Sequence, residues 1–306
     1  MPCDFAELTH YHRVNQFAME SRKRSDLALG ALLRTGLGWS LSLPAEERSA
    51  IKDKALELIA IGERELSHAV KSDLARQNGK KEPAPPAGIH DPVYAEWRLV
   101  IVASLKSRQP MADIETVTTQ RMEQLVAELP VAAWWRENVV SSSYISLARI
   151  LAETGDLSNY ATVSKLWKRM GLAVMNGVRQ GGLSKTAKKE EWIAHGYSPK
   201  RRSVMFVIGD SLMKGKTVYR TVYVDRKAFE VEKAIAEGLT VLPASKIGKK
   251  NAAACRSEGH VHKRALRYMQ KRLLRDLWAA WHEEEAKRDV KPKVLLPPPH
   301  QLSEAA

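Results

Sequence analysis

Apolar residues in the N-terminal part of the chain recur at helical spacing. Ile51, Ala55 and Leu58 lie three or four positions apart, so a helix would carry all of them on one face. Pro44 precedes them, and proline suits a first helical turn because its missing amide hydrogen has no partner there. The pattern predicts a helical N-terminal region over residues 1–77.

Turn-forming residues separate this region from the rest of the chain. Residues 78–88 (NGKKEPAPPAG) are predicted to form a linker, because proline cannot continue a helix and glycine and lysine supply no core. Connecting helices are predicted within residues 89–128, one over residues 92–106 and the next over residues 111–129.

The remainder of the chain has the pattern of short helices joined by tight turns. Two apolar runs, residues 204–208 (VMFVI) and 218–224 (VYRTVYV), fit either strands or helices, because no Asn-Gly hairpin turn joins them. A long final helix is predicted from about His260 to Arg288, and a proline-rich tail follows over residues 289–306. The sequence therefore predicts a mainly α fold.

The final helix carries two stripes at the same spacing. Its apolar stripe consists of Leu266, Met269, Leu273, Leu277 and Trp281. Its basic stripe consists of Arg264, Arg267, Lys271 and Arg275. An offset of two residues, at about 100° each, places one stripe nearly opposite the other. The apolar stripe is expected to face the core, and the basic stripe is either a row of charges for a polyanion or an ordinary solvated surface.

Positive charge is concentrated in one segment of the chain. The formal net charge is +14, and residues 160–275 hold 26 basic and 8 acidic residues, whereas the rest of the chain holds 23 basic and 27 acidic residues. Such a field attracts polyanions, because binding a phosphate backbone releases condensed counterions. The asymmetry favours nucleic acid as a ligand over the alternative of a surface charged for solubility.

Composition and motifs exclude several other classes. Cys3 and Cys255 are too few for a disulfide framework or a four-thiolate zinc site. No run of eighteen apolar residues and no charged-then-apolar leader occurs, so we expect a soluble protein of a reducing compartment with no membrane partner. No nucleotide-binding glycine loop occurs, so no cofactor is expected. No metal is expected at the two histidine pairs, because alternate residues diverge on a helix: His10/His12 and His260/His262.

Residues 145–172 (ISLARILAETGDLSNYATVSKLWKRMGL) are predicted to form two short helices around a glycine turn. Gly155 ends the first helix, and Asp156, Ser158 or Asn159 caps the turn that follows. The second helix ends at Gly171. Its outer side carries three basic residues, Lys165, Lys168 and Arg169.

This segment closely resembles part of the C-terminal helix-hairpin-helix domain of the insertion-sequence transposases that join an N-terminal RNase-H-like DEDD domain to a C-terminal serine-bearing domain. The residues that fall on the family pattern are Ala148, Leu151, Glu153, Gly155, Asp156, Tyr160, Lys165, Leu166, Gly171 and Leu172. Looser matches lie at residues 128–138, 195–202, 219–238 and 264–281. The resemblance covers about half of the chain and implies a helix-hairpin-helix domain over residues 129–288.

At the position of the family's hairpin, this sequence departs from the family pattern. Ser141 and Ser143 stand where the family has glycines, whose backbone amides approach phosphate closely. Either the serine hydroxyls bind phosphate in their place, or the run Ser141, Ser142 and Ser143 only caps the helix that follows.

The catalytic parts of that family also differ here. Gln180 stands where the family has its nucleophilic serine, which leaves Ser184 or Ser198 as the candidate nucleophile. The N-terminal nuclease domain is not expected, because the strand-like run at residues 99–103 (LVIVA) ends without a carboxylate for a metal.

The favoured hypothesis is a bacterial-type, mobile-element-associated DNA-binding protein that grips the phosphate backbone, acts in the cytoplasm at the nucleoid and needs no cofactor or metal. Double-stranded DNA is the first expected ligand, and structured RNA is the alternative. The residues predicted to bind nucleic acid are Ser141, Ser142, Ser143, Lys165, Lys168, Arg169, Lys200, Arg201, Arg202, Arg264, Arg267, Lys271 and Arg275.

Two further hypotheses stay open at this point. One is a transposase subunit in which Ser184 or Ser198 is the nucleophile and a partner protein supplies the nuclease half. The other is an α-helical scaffold that binds an acidic protein and forms a homodimer through its N-terminal helices. Under every hypothesis, five tryptophans are expected to pack in a core rather than to stack on bases: Trp134, Trp135, Trp167, Trp278 and Trp281.

Overall fold

Helices dominate the structure, a computed structural model that describes residues 4–140, 142–184 and 186–287. The predicted mainly α fold is confirmed. Ser141 and the predicted proline-rich tail, residues 289–306, lie outside the described residues.

The α-helices of the described residues follow one another with short connections. They are α1 (Phe5–Gly36), α2 (Ala45–Gln77), α3 (Pro92–Ala127), α4 (Val131–Asn138), α5 (Tyr144–Thr154), α6 (Val163–Arg169), α7 (Lys189–His195), α8 (Pro199–Lys214), α9 (Val218–Ala236) and α10 (Glu258–Ala286). Four short strands accompany them: β1 (Val174–Met175), β2 (Val178–Arg179), β3 (Thr240–Leu242) and β4 (Cys255–Ser257).

The chain divides into two compact units, Arg13–Thr119 and Met1–His12 with Gln120–Ala306. We call them the middle unit and the outer unit. In the middle unit, the apolar faces of three helices bury one core: Leu29, Leu33, Ala55, Leu58, Ile61, Tyr94, Ile101 and Leu105. The predicted linker, residues 78–88, lies within this unit, where His68 bonds the carbonyl of Pro83 at 3.0 Å.

The core of the outer unit is built around α10. Its buried residues include every member of the predicted apolar stripe, so that prediction is confirmed. Helices α4, α6, α8 and α9 all pack against α10. Burying each of these large apolar side chains contributes about 1.5–3 kcal/mol to folding, which holds α10 as the central helix of the unit.

Two sequence expectations need correction. The helices predicted over residues 92–106 and 111–129 are one helix, α3, which continues through Pro110 and ends at Ala127. The strand-like run at residues 99–103 is helical for the same reason. Proline costs about 3 kcal/mol inside a helix. Burial of Ile101 and Leu105 before Pro110, and of Met122 after it, outweighs that cost.

The two apolar runs that fitted either strand or helix are helical. Residues 204–208 lie in α8 and residues 218–224 lie in α9. In α8, Val204, Met205 and Ile208 are buried while Phe206 and Val207 are exposed, which is a helical rather than an alternating pattern.

A small hairpin follows α6. Strands β1 and β2 are antiparallel, and Asn176 and Gly177 join them with φ angles of 51° and 76°. Positive φ at both positions is the geometry that an Asn-Gly turn favours. Strands β3 and β4 pair in parallel, and residues 243–254, which include Lys246, Lys249 and Lys250, connect them.

Candidate nucleic-acid interface

A groove lies in the outer unit between α6, α7 and the start of α8. Its volume is about 430 Å³, and it opens to solvent. The lining residues are Tyr160, Lys165, Lys168, Arg169, Trp192, Ile193, Ala194, Gly196, Tyr197 and Arg201. Four of the predicted nucleic-acid-binding residues therefore line one groove, which we call the basic groove: Lys165, Lys168, Arg169 and Arg201.

Helix α6 positions the cations of one wall. Leu166 and Met170 are fully buried, and this fixes the helix so that Lys165 and Arg169 stay exposed on its other side, as predicted. Gly171 ends the helix with φ of 70°. The ring of Tyr197 lies about 3.3 Å from where a Cβ of Gly171 would be, so the glycine allows this close approach.

The other wall is held by a buried amide. Gln180, 5% exposed, donates from Nε2 to the carbonyl of His195 at 3.0 Å, and its backbone N–H donates to the carbonyl of Ala173. His195 Nε2 lies 2.7 Å from the carbonyl oxygen of Gly181. Gln180, which stands where the resembled family has its serine, thus joins the base of the hairpin to the end of α7.

Backbone carbonyls orient the other cations of the groove. Lys168 Nζ donates to the carbonyl of Ala194 at 3.0 Å. Arg169 Nε donates to the carbonyl of Glu153 at 2.9 Å, and Arg201 Nη1 donates to the carbonyl of Arg169 at 2.9 Å. These acceptors carry no net charge, and Lys168 and Arg169 make no ion pair with a carboxylate among the described residues.

Glu153 is the one carboxylate at the edge of this group within the described residues. Its Oε1 lies 3.2 Å from Nε2 of the buried His12, and its Oε2 lies 3.7 Å from Arg201 Nε. The hydrogen bond with His12 lowers the pKa of the Glu153 carboxyl, and the charge of Arg201 lowers it further. Burial lowers the pKa of Arg201, and Arg169 acts in the same direction.

A second group of cations lies beside the basic groove, next to Tyr197. We call it the arginine cluster; its members are Arg179, Arg202, Arg267 and Lys271. Burial lowers the pKa of Arg202 to about 10, and the charge of Arg267 acts in the same direction. Burial also lowers the pKa of Arg267, with Arg179 as the next cause. Each cation therefore raises the electrostatic free energy of its charged neighbours. An anion bound among them would lower that free energy.

The hydrogen bonds of the cluster go to uncharged groups. Arg202 Nη1 donates to Oε1 of the buried Gln270 at 2.8 Å. Lys271 Nζ lies 4.6 Å from the centre of the Trp167 ring. Within the described part of the chain, no carboxylate lies within 4.0 Å of any of the four cations of the cluster.

The basic stripe predicted along α10 needs correction. Arg264 Nε lies 2.7 Å from the Oε2 atom of Glu230, which is 1% exposed, and Arg275 pairs with Asp276 at 3.0 Å. Only Arg267 and Lys271 join the arginine cluster. The stripe does not form a fully exposed face. Buried residues cover more than half of the circumference of α10, and Arg264, Arg267 and Lys271 lie at the edge of that buried surface.

The serine run has a structural role at the start of α5. The Ser142 carbonyl accepts from Trp135 Nε1 at 3.2 Å, and Ser143 is the N-cap residue, although its side chain makes no capping bond. Glu123 Oε1 accepts from the backbone N–H of Ile145 at 3.2 Å. A carboxylate therefore stands at the helix start where a phosphate was expected, next to Ser142 and Ser143.

Among the described residues, neither candidate nucleophile is hydrogen-bonded to a base. Ser184 Oγ lies 2.8 Å from Thr186 Oγ1 and accepts from the backbone N–H of Thr186. Ser198 caps α8 by accepting from the backbone N–H of Arg201. Neither hydroxyl is hydrogen-bonded to a histidine or a carboxylate among the described residues, and Lys185 lies outside those residues.

Lys200, another predicted nucleic-acid-binding residue, is exposed in the first turn of α8.

Histidines are engaged singly rather than in pairs. His12 contacts Glu153, and His262 Nδ1 lies 2.7 Å from the Tyr223 hydroxyl. The residues with described positions contain no group of three or more metal-binding side chains. Across the same residues, no helix combines the length and the apolar composition needed to cross a bilayer.

Three residues of the two basic groups were missed by sequence reasoning. Arg179 follows the Asn-Gly turn of the hairpin, and that dipeptide was the available signal. Trp192 and Tyr197 are aromatic residues interleaved with lysine and arginine, a pattern typical of nucleic-acid-binding segments. Of the five tryptophans predicted to pack in the core, Trp135 and Trp281 are buried in it, and Trp134, Trp167 and Trp278 are partly buried against it.

No protein-family model, curated protein or solved structure matches the chain. The resemblance to the transposase domain therefore stays a prediction that depends on the motif residues of the segment 145–172.

Proposed function

We propose that the outer unit binds nucleic acid by its phosphate backbone, through the basic groove and the adjoining arginine cluster. We further propose that the chain serves a bacterial mobile element as a DNA-binding protein, which the motif residues around Gly155 and Gly171 support. The single observation that carries the proposal is a set of partly buried cations that have no carboxylate partner among the described residues: Lys168, Arg202, Arg267 and Lys271.

The middle unit provides the contrast that gives this observation its weight. There, Arg22 pairs with Glu115, Lys54 with Asp91 and Arg98 with Glu65, as is ordinary for charged residues on packed helices. Arg22 and Lys54 are partly buried, and a carboxylate neutralises each of them.

The chemistry of phosphate fits the unpaired set. Arginine offers a planar fork of donors that matches two phosphate oxygens, and lysine offers a compact charge. Contacts of this kind position a strand without reading its sequence. Affinity is therefore expected to depend on phosphate spacing and salt more than on base sequence.

A double variant tests the assignment. Lys165→Ala with Arg179→Ala removes one cation from each basic group, and neither side chain makes a hydrogen bond or ion pair within the described structure, so folding is expected to persist. We expect at least about a tenfold rise in Kd for double-stranded DNA, single-stranded DNA and hairpin RNA, because two charge-assisted contacts are lost. Fluorescence anisotropy of labelled oligonucleotides measures the change.

The matched control removes two exposed lysines of the middle unit, Lys52→Ala with Lys71→Ala. It changes the net charge by the same amount and is expected to leave Kd within about twofold, because only distant charge is lost. Equal weakening by both double variants would show a general charge effect and contradict the site.

A further inference from the structure

Aromatic side chains stand among the cations of the basic groove. Trp192 on α7 and Tyr197 before α8 line it together with Lys165 and Lys168. The position where a Cβ of Gly182 would stand lies 3.7 Å from Trp192 Cη2 and 4.0 Å from Tyr197 Cε1, so the two rings are near neighbours.

These two rings are not used by the core. Neither Trp192 nor Tyr197 belongs to the hydrophobic cluster of the outer unit, and both are partly exposed. In contrast, Trp135, Trp167 and Trp278 each donate their indole N–H to a backbone carbonyl and pack against that cluster. Both rings line the open groove, so part of their surface is available to a ligand there.

A regular duplex cannot use such a surface. Its bases stack on one another, and only the sugar-phosphate backbone and the edges of the base pairs are exposed. An unpaired base offers its face, and stacking on an aromatic side chain contributes about 1–3 kcal/mol whatever the base. The groove volume of about 430 Å³ lies in the range that pockets for small ligands occupy.

We infer that the basic groove holds an unpaired nucleotide, stacked on Trp192 and Tyr197 with its phosphates on Lys165 and Lys168. The preferred ligand is then a nucleic acid with a single-stranded segment, such as a duplex with an overhang or a bulge. This inference depends on the proposed function, since it specifies the ligand of the same groove.

The test compares a blunt duplex with the same duplex carrying an overhang of about five nucleotides, in DNA and in RNA. We expect about tenfold tighter binding of the overhang form. A 2-aminopurine placed in the overhang is expected to lose fluorescence on binding through stacking on the groove. Trp192→Ala is expected to lower the affinity for the overhang form to about that for the blunt duplex and to remove most of the quenching.

Two further variants distinguish a loss of stacking from a folding defect. Trp192→Phe keeps an aromatic ring and is expected to retain most of the preference. Trp39→Ala removes a partly exposed tryptophan of the middle unit and is expected to change nothing. Circular dichroism verifies that each variant is folded.

The possible failures can be told apart. Equal affinity for blunt and overhang forms, or quenching that persists in Trp192→Ala, would overturn the inference and leave the proposed function standing. Absence of binding to every oligonucleotide would overturn both. Preference for the overhang in RNA alone, or in DNA alone, supports the inference and identifies the sugar.

Discussion

Arg267 shows what an unpaired cation costs a folded protein. It is partly buried, and after burial itself the charges of Arg179 and Arg264 lower its pKa further. A charged group in such a position opposes folding and favours anion binding, so stability and binding should respond to its removal in opposite directions.

Arg267→Met tests this opposition. The variant removes the charge and keeps an unbranched apolar side chain, so the free protein is expected to gain about 1 kcal/mol, which corresponds to a rise in Tm of about 2–4 °C. Its Kd for nucleic acid is expected to rise at least about fivefold. Thermal unfolding by circular dichroism and anisotropy titration measure the two effects.

Arg275→Met is the stability control. Arg275 is exposed and paired with Asp276, so its removal is expected to move Tm by less than about 1 °C. A fall in Tm for Arg267→Met, or unchanged binding, would contradict the assignment of Arg267 to a ligand site.

The exposure of a side chain could be predicted only where a helical pattern determined on which side of the helix it lies. Lys165 and Arg169 were placed correctly because Leu166 and Met170 define the buried side of α6. The ion pair of Arg264 could not be predicted, because its partner Glu230 lies on another helix and is far away in sequence.

At the scale of elements, Glu153 joins helices that are distant in the chain. It lies on α5 and contacts His12 of α1 and Arg201 of α8. The hydrogen bond with His12 and the charge of Arg201 lower its carboxyl pKa below the ordinary 4.5. The stability that it contributes is therefore present above about pH 4.5 and is lost as pH falls through the lowered pKa.

Glu153→Gln is expected to lower the free energy of unfolding by about 2 kcal/mol at pH 7, because it removes the charge that His12 and Arg201 stabilise. The penalty is expected to shrink as pH falls from about 5 to 3, where the wild-type carboxylate becomes protonated. Urea unfolding at several pH values measures it. Glu137→Gln, at an exposed position on α4, serves as the control, and a penalty independent of pH would contradict this role for Glu153.

Elements were predictable where local signals agreed with packing. The helices around Gly155 and Gly171 were correct because periodicity and turn residues indicated the same boundaries. Pro110 misled the prediction for α3, because a local rule conflicted with burial on both sides. The hairpin at Asn176 was missed although its turn dipeptide is a strong signal.

At the scale of the whole molecule, charge and architecture coincide. The segment with 26 basic and 8 acidic residues, residues 160–275, belongs entirely to the outer unit. Composition could predict this segregation. The boundaries of the units could not be predicted, because they fall within the helices α1 and α3, where no change of composition marks them.

The salt dependence of binding is the most direct test of whether the outer unit binds a phosphate backbone. Anisotropy titrations of wild-type protein with double-stranded DNA, single-stranded DNA and hairpin RNA between about 50 and 200 mM salt give the slope of log Kd against log salt concentration. Four or more phosphate contacts predict a loss of affinity of about 100-fold or more over this range for at least one of the three ligands. No binding at 50 mM salt, or a change in Kd below about fivefold for each ligand, would contradict a phosphate-binding surface on the outer unit.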